Sequence, residues 1–294
     1  MKLLTVLYQD QELPAVLSAD GTSFHLFSEA GVSTPSLMAL IETASADDLS
    51  RLRCLAASET AGIPLSQASV LAPLPRLKQD MICLGINYME HAAESARFKN
   101  EQFDGKRDDA VYFSKRIHRA VADREPVPSH SDITSQLDYE EELAVVIGRD
   151  ARDVSAADSA AYVFGYTIIN DVSAREIQNR HKQWYYGKSL DGSTPMGPYL
   201  VTADEFCYPP KLNICSRING ETRQSSNTEK QIFQIDAVIE ELSRGMTLEA
   251  GTVIATGTPA GVGMGFTPPK FLKEGDVMEC EIEGIGVLTN PIGK

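Results

Sequence analysis

The segment LDYEEELAVVIG at Leu137–Gly148 places a cluster of acids directly before an apolar run. The run Leu143–Ile147 is rich in β-branched residues and predicts a buried strand. If that strand begins among the acids, Glu140 and Glu142 point to one face and Glu141 to the other, because side chains alternate along a strand. Adjacent carboxylates at the end of a buried strand repel each other, so water or a cation must relieve the repulsion. Taken alone, these residues favour a solvated strand end over a metal site.

A further carboxylate, Asp171, closes a second apolar stretch that includes Tyr166–Ile169. Acids are depleted at such positions, which makes this one informative. If the two strands bring their acidic ends together, Glu140, Glu142 and Asp171 form a hard oxygen site. That donor set suits Mg²⁺, Mn²⁺ or Ca²⁺ and argues against zinc or copper.

The segment GINYMEHAAE at Gly85–Glu94 contains a histidine and a glutamate three residues apart. If the segment is helical, His91 and Glu94 are neighbours on the helix surface. A carboxylate beside an imidazole raises its basicity and fixes its orientation, as a general base requires. The alternative interpretation is an exposed ion pair.

A basic stretch follows the second of these strands. Arg175 and Gln178 are three residues apart, and Lys188 follows in the sequence YYGKS. Arginine can hold a carboxylate with two hydrogen bonds, and lysine can stabilise a developing oxyanion. The alternative is a basic surface stretch, because Arg180 and Lys182 lie there as well.

The glycine-rich segment TGTPAGVG at 256–263 follows another predicted strand. It lacks the lysine of a P-loop, and Gly265–Pro269 after it cannot begin a helix as the dinucleotide fingerprint requires. A tight turn that offers backbone N–H groups to a substrate oxygen is the better interpretation.

The chain divides into two predicted domains. Residues 1–75 form a small N-terminal α+β domain, and the proline-containing segment Leu71–Pro75 is the predicted linker. Its first helix is predicted to begin at Thr34-Pro35, and its second at Ser45, where Asp48 completes a capping box. Residues 76–294 form a mainly β catalytic domain. Its predicted strands include Met81–Leu84, Leu143–Ile147, Tyr166–Ile169, Thr252–Ala255 and Val277–Ile282, and its predicted helices begin near Tyr88 and Ser155 and span Ile232–Ser243.

The composition narrows the partners and the location. The 294 residues carry a formal net charge of −14, which disfavours nucleic acid and anionic membranes as partners. The 5 cysteines include no C-x-x-C pair, which is typical of free or buried thiols in a reducing cytosol. The stretch Met1–Leu17 is too polar for a signal peptide or a membrane span. We therefore expect a cytoplasmic protein.

In this order, these segments resemble the fumarylacetoacetate hydrolase family, from about residue 70 to the end of the chain. The resemblance implies an α+β, mainly β fold: a mixed β-roll of the family's C-terminal type behind a small N-terminal domain. It also implies a homodimer that binds Mg²⁺ or Mn²⁺. The matching segments are Gly85–Glu94, Leu137–Gly148, Phe164–Arg175, Gly187–Gly197, Ile218–Thr228 and Met246–Gly263.

The resemblance also implies a role for each candidate residue. The implied metal ligands are Glu140, Glu142 and Asp171. The implied water-activating dyad is His91 and Glu94, on a segment that in the family orders over the site as a lid. The implied substrate contacts are Arg175, Gln178, Thr258 and the catalytic Lys188.

Two departures from the family pattern bear on substrate preference. Glu141 replaces an apolar or small residue and is expected to add acid beside the ligands. The stretch Phe113–Pro128 replaces the usual loop rich in proline and glycine. In addition, Gln178–Gly197 and Gly263–Gly275 are similar to a bacterial branch with oxaloacetate decarboxylase activity.

The resulting prediction is metal-dependent cleavage of a C–C bond in a small 2-oxo or 2,4-dioxo acid. The enzyme would be an acylpyruvate-type hydrolase or an oxaloacetate decarboxylase, with the metal serving as an electron sink while an enolate forms. One alternative is an isomerase or tautomerase, which uses the same enolate. Others are a 2-keto-3-deoxy sugar acid dehydratase and a non-catalytic binder that kept the fold. The presence of every ligand and of the dyad argues against the binder.

Overall fold

The computed structural model describes residues 1–99, 102, 105–106 and 108–294. The strands in chain order are β1 Lys2–Tyr8, β2 Gln11–Leu17, β3 Ser23–Leu26, β4 Ile63–Pro64, β5 Ser69–Leu71, β6 Met81–Gly85, β7 Val111–Lys115, β8 Val127–Pro128, β9 Leu137–Asp138, β10 Glu141–Ile147, β11 Val163–Asn170, β12 Ser173–Ala174, β13 Met196–Thr202, β14 Asn213–Ile218, β15 Glu221–Asn227, β16 Val253–Ala255, β17 Val277–Ile282 and β18 Gly286–Gly293. The α-helices are α1 Leu37–Thr43, α2 Ala46–Ala56, α3 Met89–Lys99, α4 Arg175–Arg180, α5 Tyr185–Lys188 and α6 Ile235–Gly245.

One long sheet runs in the order β4-β3-β2-β1-β13-β11-β10-β16-β6-β7, with β5 also paired to β1. Strand β10 lies between β11 and β16, and all 7 of its residues are buried. A strand covered on both faces has no solvent side, which explains why Leu143–Ile147 is an unbroken apolar run.

The N-terminal strands belong to this same sheet. Strand β1 pairs with β13, with Leu3 opposite Leu200. One apolar cluster includes Leu3 from the N-terminal region and Val146 from β10. A sheet and a core therefore join the two predicted domains, and the boundary after residue 75 stays a prediction.

A second sheet runs in the order β15-β14-β17-β18-β8 and covers one side of the long sheet. Ile214 and Cys280 from this sheet pack in one cluster with Val145 of β10 and Ile239 of α6. Both sheets are open, and β16 pairs with β6 in parallel among mainly antiparallel neighbours. The predicted α+β, mainly β class is confirmed. Among the described residues, none of the helices has the length and apolar character that crossing a membrane requires.

Most of the predicted elements are confirmed, and the differences lie at helix ends. The capping box of Ser45 and Asp48 is present. Helix α1 begins later than predicted, because the Ser36 hydroxyl accepts the Ala39 N–H at 3.1 Å and acts as the N-cap. The segment after Ser155 is a 3₁₀ helix.

The late start of α6 has a tertiary cause. The backbone N–H of Ile232 donates to the Asn87 carbonyl at 2.9 Å, and that of Phe233 donates to the Asn87 side chain at 2.8 Å. These contacts hold the first predicted turn outside the helix, which begins at Ile235.

Candidate active site

The pairing of β10 with β11 brings the predicted ligands together. Glu142 lies opposite Ile169, and the Asp171 N–H donates to the Glu140 carbonyl at 2.8 Å. One carboxylate oxygen from each of Glu140, Glu142 and Asp171 lies within 4.8 Å of the others, and all three residues are buried. The solvated strand end that the local sequence favoured is therefore not what the fold forms.

Two buried lysines neutralise part of this cluster. The Lys188 ammonium lies 2.5 Å from Glu140 Oε2 and 2.8 Å from Asp171 Oδ2. Lys115 Nζ lies 2.7 Å from Asp171 Oδ1 and also donates to the carbonyl of Ser193 at 2.9 Å. Lys115 was not among the residues predicted from the sequence. The only hint in the sequence is its position at the end of the stretch that forms β7.

The three carboxylates differ in their electrostatics. Burial alone would raise the pKa of Glu140, but Arg175 and Lys188 outweigh it and hold that pKa below its usual range. Burial and the negative charges of Asp171 and Glu140 raise the pKa of Glu142 well above its usual range. Since Glu142 forms no ion pair among the described residues, a cation would relieve this repulsion, and an all-oxygen donor set suits Mg²⁺ or Mn²⁺.

Arg175 is the first residue of α4 and is fully buried. Its Nε donates to Asp138 at 2.9 Å, and its Nη1 lies 2.6 Å from Glu140 and donates to Gln178 at 3.1 Å. Its Nη2 is buried and has no hydrogen-bond partner among the described residues. A buried donor without a partner costs about 1–3 kcal/mol, so the guanidinium can still take a ligand oxygen.

The predicted dyad forms on α3. His91 Nδ1 lies 3.0 Å from Glu94 Oε2, and the two residues are only 4% and 5% exposed. The exposed ion pair is therefore excluded. Glu94 also accepts the Gly261 N–H at 3.0 Å, which fixes its orientation. Because Nδ1 faces Glu94, Nε2 is the nitrogen that remains for a ligand.

Many of these groups line one cavity, whereas Glu94, Lys115 and Asp171 are not part of its wall. Phe113 and Trp184 form another part of its wall and meet edge to face, with ring centroids 5.2 Å apart. Gly85 is required beneath Trp184, because a Cβ at this position would collide with the indole ring. The predicted site residues in the cavity wall are His91, Glu140, Glu142, Arg175, Gln178, Lys188 and Thr258.

The structure qualifies the role of Thr258. Its hydroxyl donates to the Glu141 carbonyl at 2.8 Å and accepts from Gln224 Nε2 at 2.6 Å. The Thr258 hydroxyl therefore already donates its proton to the backbone of β10 and cannot donate it to a substrate. A substrate contact by other atoms of Thr258 stays a prediction. Gln224, which sequence reasoning missed, holds both Thr258 and the Glu141 N–H, at 3.2 Å.

The backbone of the glycine-rich turn faces protein acids. The Gly257 N–H donates to Glu142 at 2.6 Å, and the Gly261 N–H donates to Glu94. The expectation that these N–H groups receive a substrate oxygen is therefore wrong for both positions. The turn instead orients one predicted ligand and one dyad residue. Gly257 adopts φ +90°, which favours glycine there.

Glu141 also differs from expectation. It lies on the face of β10 opposite Glu142, as the alternation predicted, and it is fully buried. Burial raises its pKa well above the usual range, with the charge of Glu281 adding to that effect. The Glu141 side chain is not part of the cavity wall that Glu140 and Glu142 line.

The mixed-sheet fold brings a carboxylate pair, an arginine, a lysine and a histidine to one cavity wall, with Asp171 and Glu94 held against them by direct contacts. Such an arrangement defines a class of small-molecule enzymes. Residues 80–293 match the family described as "Fumarylacetoacetate (FAA) hydrolase C-terminal". The chain belongs to this family, as its sequence motifs predicted.

Similar proteins carry several names within the family. The chain is 48% identical over 229 residues to "Oxaloacetate tautomerase YisK" of Bacillus subtilis (strain 168), which covers 78% of this chain and 74% of that protein. A fumarylacetoacetate hydrolase structure from Exiguobacterium antarcticum is 39% identical with a TM-score of 0.79 and covers 100% of this chain and 99% of its own. A maleylpyruvate hydrolase structure from Sphingobium sp. SYK-6, in complex with manganese(II) and pyruvate, is 25% identical with a TM-score of 0.75 over 100% and 99% of the two chains. The curated relative is thus named a tautomerase, which the sequence analysis gave as an alternative to a hydrolase or a decarboxylase.

Proposed function

We propose that this protein is a divalent-metal-dependent enzyme that interconverts the keto and enol forms of oxaloacetate or a similarly compact 2-oxo acid. The observation that carries the proposal is one cavity lined by both the carboxylate pair Glu140 and Glu142 and the dyad residue His91. A metal-binding group and a proton-transfer group are therefore available to the same small ligand. The 48% identity to an oxaloacetate tautomerase supports the choice of reaction.

The metal would be held by Glu140, Glu142 and Asp171, which supply three carboxylate groups where the adjacent strands β10 and β11 meet. When bound, such an ion supplies Lewis-acid stabilisation of the negative charge that develops on a 2-oxo oxygen. The manganese named in the maleylpyruvate hydrolase structure supports an ion of this kind.

His91 is the proposed proton carrier. Nε2 accepts the proton from the carbon next to the 2-oxo group, and the same proton returns to the enolate oxygen. Glu94 keeps Nδ1 protonated and stabilises the imidazolium through their 3.0 Å contact. The reaction balances as one proton moved from carbon to oxygen, without any other reactant.

Arg175 and Lys188 are the proposed anchors for the negative groups of the substrate. Nη2 of Arg175, which has no partner in the described part of the chain, is a donor for a carboxylate oxygen. Burial alone would lower the pKa of Lys188, but Asp171 and Glu140 outweigh it and hold that pKa above its usual range. Lys188 therefore stays protonated and provides positive charge in a chain whose net charge is −14.

The test is the decay of enol-oxaloacetate, followed by its ultraviolet absorbance. Metal ions catalyse this reaction even without protein. The rates of wild type and Glu142→Gln are therefore compared at the same Mn²⁺ concentration. Wild type should exceed the metal-only rate, and the variant should fall towards it. A wild-type rate equal to that of metal alone would show that the proposed tautomerase function is wrong.

C–C cleavage is the second candidate. Its support is the pyruvate bound in the maleylpyruvate hydrolase structure and a dyad that can also activate water. Release of pyruvate from oxaloacetate or from an acylpyruvate, measured with a coupled assay, distinguishes cleavage from tautomerisation.

A further inference from the structure

Asp138, at the end of β9, forms hydrogen bonds that the proposed chemistry does not use. Its Oδ1 accepts the N–H groups of Tyr139 at 3.0 Å and Gly263 at 2.6 Å. Its Oδ2 accepts the Met264 N–H at 3.0 Å and Arg175 Nε at 2.9 Å. The residue is fully buried. One carboxylate thus joins the substrate-binding arginine to the turn at residues 263–265.

The same turn receives the helix that carries the dyad. Glu94 of α3 accepts the Gly261 N–H just before the turn. Gly265 lies so close to Glu94 that a Cβ on Gly265 would collide with that carboxylate. The position of the turn therefore determines where Glu94, and through it His91, can lie.

We propose that Asp138 is a positioning residue that holds the guanidinium of Arg175 and the dyad helix α3 in one mutual arrangement. It acts through the turn at 263–265 and does not touch the substrate. Its effect on catalysis rests on the function proposed above, whereas its effect on the placement of α3 does not.

Asp138→Asn is the direct test, because it keeps the side-chain shape and removes one acceptor. The NH₂ of the new asparagine must replace either Oδ1, which accepts from Tyr139 and Gly263, or Oδ2, which accepts from Met264 and Arg175. Because NH₂ cannot accept, both hydrogen bonds to the replaced oxygen are lost. We expect hydrogen–deuterium exchange to rise by about tenfold or more in α3 and to stay unchanged in β17.

Glu125→Gln is the matched control. Glu125 likewise accepts a backbone N–H, from Ala122 at 2.8 Å, and pairs with an arginine, Arg119, at 3.0 Å. It does not line the cavity. This variant should leave exchange in α3 as in wild type. Unchanged exchange in α3 of Asp138→Asn would overturn the proposal, whatever reaction the protein catalyses.

A second variant tests the contact between the turn at 263–265 and Glu94 directly. Gly265→Ala presses on Glu94 without removing any bond of Asp138, and it should also raise exchange in α3. Gly245→Ala is its control, because a Cβ on Gly245 meets only open space. If Asp138→Asn does not fold, equal exchange in the two alanine variants overturns the proposal.

The catalytic effect has its own measurement. Asp138→Asn should lower kcat by roughly 10²-fold through misplacement of the dyad, while Mn²⁺ affinity by calorimetry stays within about threefold. The double variant with His91→Ala should be no slower than His91→Ala alone, because both changes act through one step. If the rate losses of the two single variants multiply in the double variant, the conclusion that Asp138 acts through the dyad is wrong. If wild type shows no activity at all, the proposed function fails while the exchange data still decide the role of Asp138.

Discussion

The Lys188 ammonium lies 2.5 Å from Glu140 Oε2, within the predicted ligand set itself. Arg175 lies 2.6 Å from the other oxygen of Glu140, so this carboxylate is held in its ionised form. Glu142 lies beside it without such a partner among the described residues, and its pKa is raised. The pKa values of these two nearby acids are therefore shifted in opposite directions.

Removal of Glu142 should weaken metal binding sharply. We expect Glu142→Gln to reduce Mn²⁺ affinity by at least about tenfold in calorimetry, because a ligand charge is lost. EDTA should abolish activity, and Mg²⁺ or Mn²⁺ should restore it. Binding to wild type should strengthen as pH rises, because Glu142 must lose a proton to bind the ion.

Glu141→Gln is the control for that experiment, because Glu141 is adjacent in the chain but lies on the other face of β10. It should bind Mn²⁺ as wild type does. Equal affinities of the two variants, or full activity after thorough chelation, would contradict the metal assignment.

The same control variant carries a prediction about pH and stability. Burial raises the pKa of Glu141, so the folded chain binds a proton that the unfolded chain releases at lower pH. The resulting stabilisation is complete below the usual glutamate pKa and is lost as pH rises through the raised pKa of the folded state. Glu141→Gln has no such proton, so its Tm should exceed that of wild type increasingly as pH rises above the usual glutamate pKa. Calorimetric scans that stay parallel across this range would show that Glu141 does not titrate in this way.

Loss of the imidazole should separate proton transfer from decarboxylation. We expect His91→Ala to slow enol–keto exchange, and any acylpyruvate hydrolysis, by roughly 10²–10⁴-fold. Decarboxylation of oxaloacetate should suffer less, because it needs no activated water. His181→Ala is the control, since His181 is exposed and does not line the cavity. Small and equal effects on all these reactions would mean that the His91–Glu94 pair is only structural.

A substrate panel tests the reaction class. With Mn²⁺ present, we expect the enol of oxaloacetate to be converted fastest, with pyruvate release from oxaloacetate, acetylpyruvate and fumarylpyruvate as the measure of cleavage. Phosphorylated substrates should fail, because the 256–263 turn has no lysine and donates the N–H groups of Gly257 and Gly261 to protein acids. Water loss from a 2-keto-3-deoxy sugar acid, without any enol conversion or pyruvate release, would replace this function with a dehydratase.

The sequence predicted those parts of the site that depend on local geometry. Alternation places Glu142 of β10 on the same side as Glu140, the residue before the strand, and the three-residue spacing places His91 beside Glu94. Asp138 could not be assigned in this way, because its partners Gly263 and Met264 lie far along the chain. Lys115 was missed for a related reason: a lysine that ends a strand is usually exposed, and only the pairing of the strands buries this one against Asp171.

Strand β1 covers the edge of β13, which pairs in turn with the β11 strand that leads to Asp171. A chain shortened to residues 76–294 would leave the end of β13 at Leu200–Thr202 without the backbone partners that Met1–Leu3 provide. Such an edge is a template for pairing with a second chain and for aggregation. Strand β1 therefore protects this edge of the sheet from pairing with other chains. Recombinant work on the catalytic region alone should retain β1 or add a substitute strand.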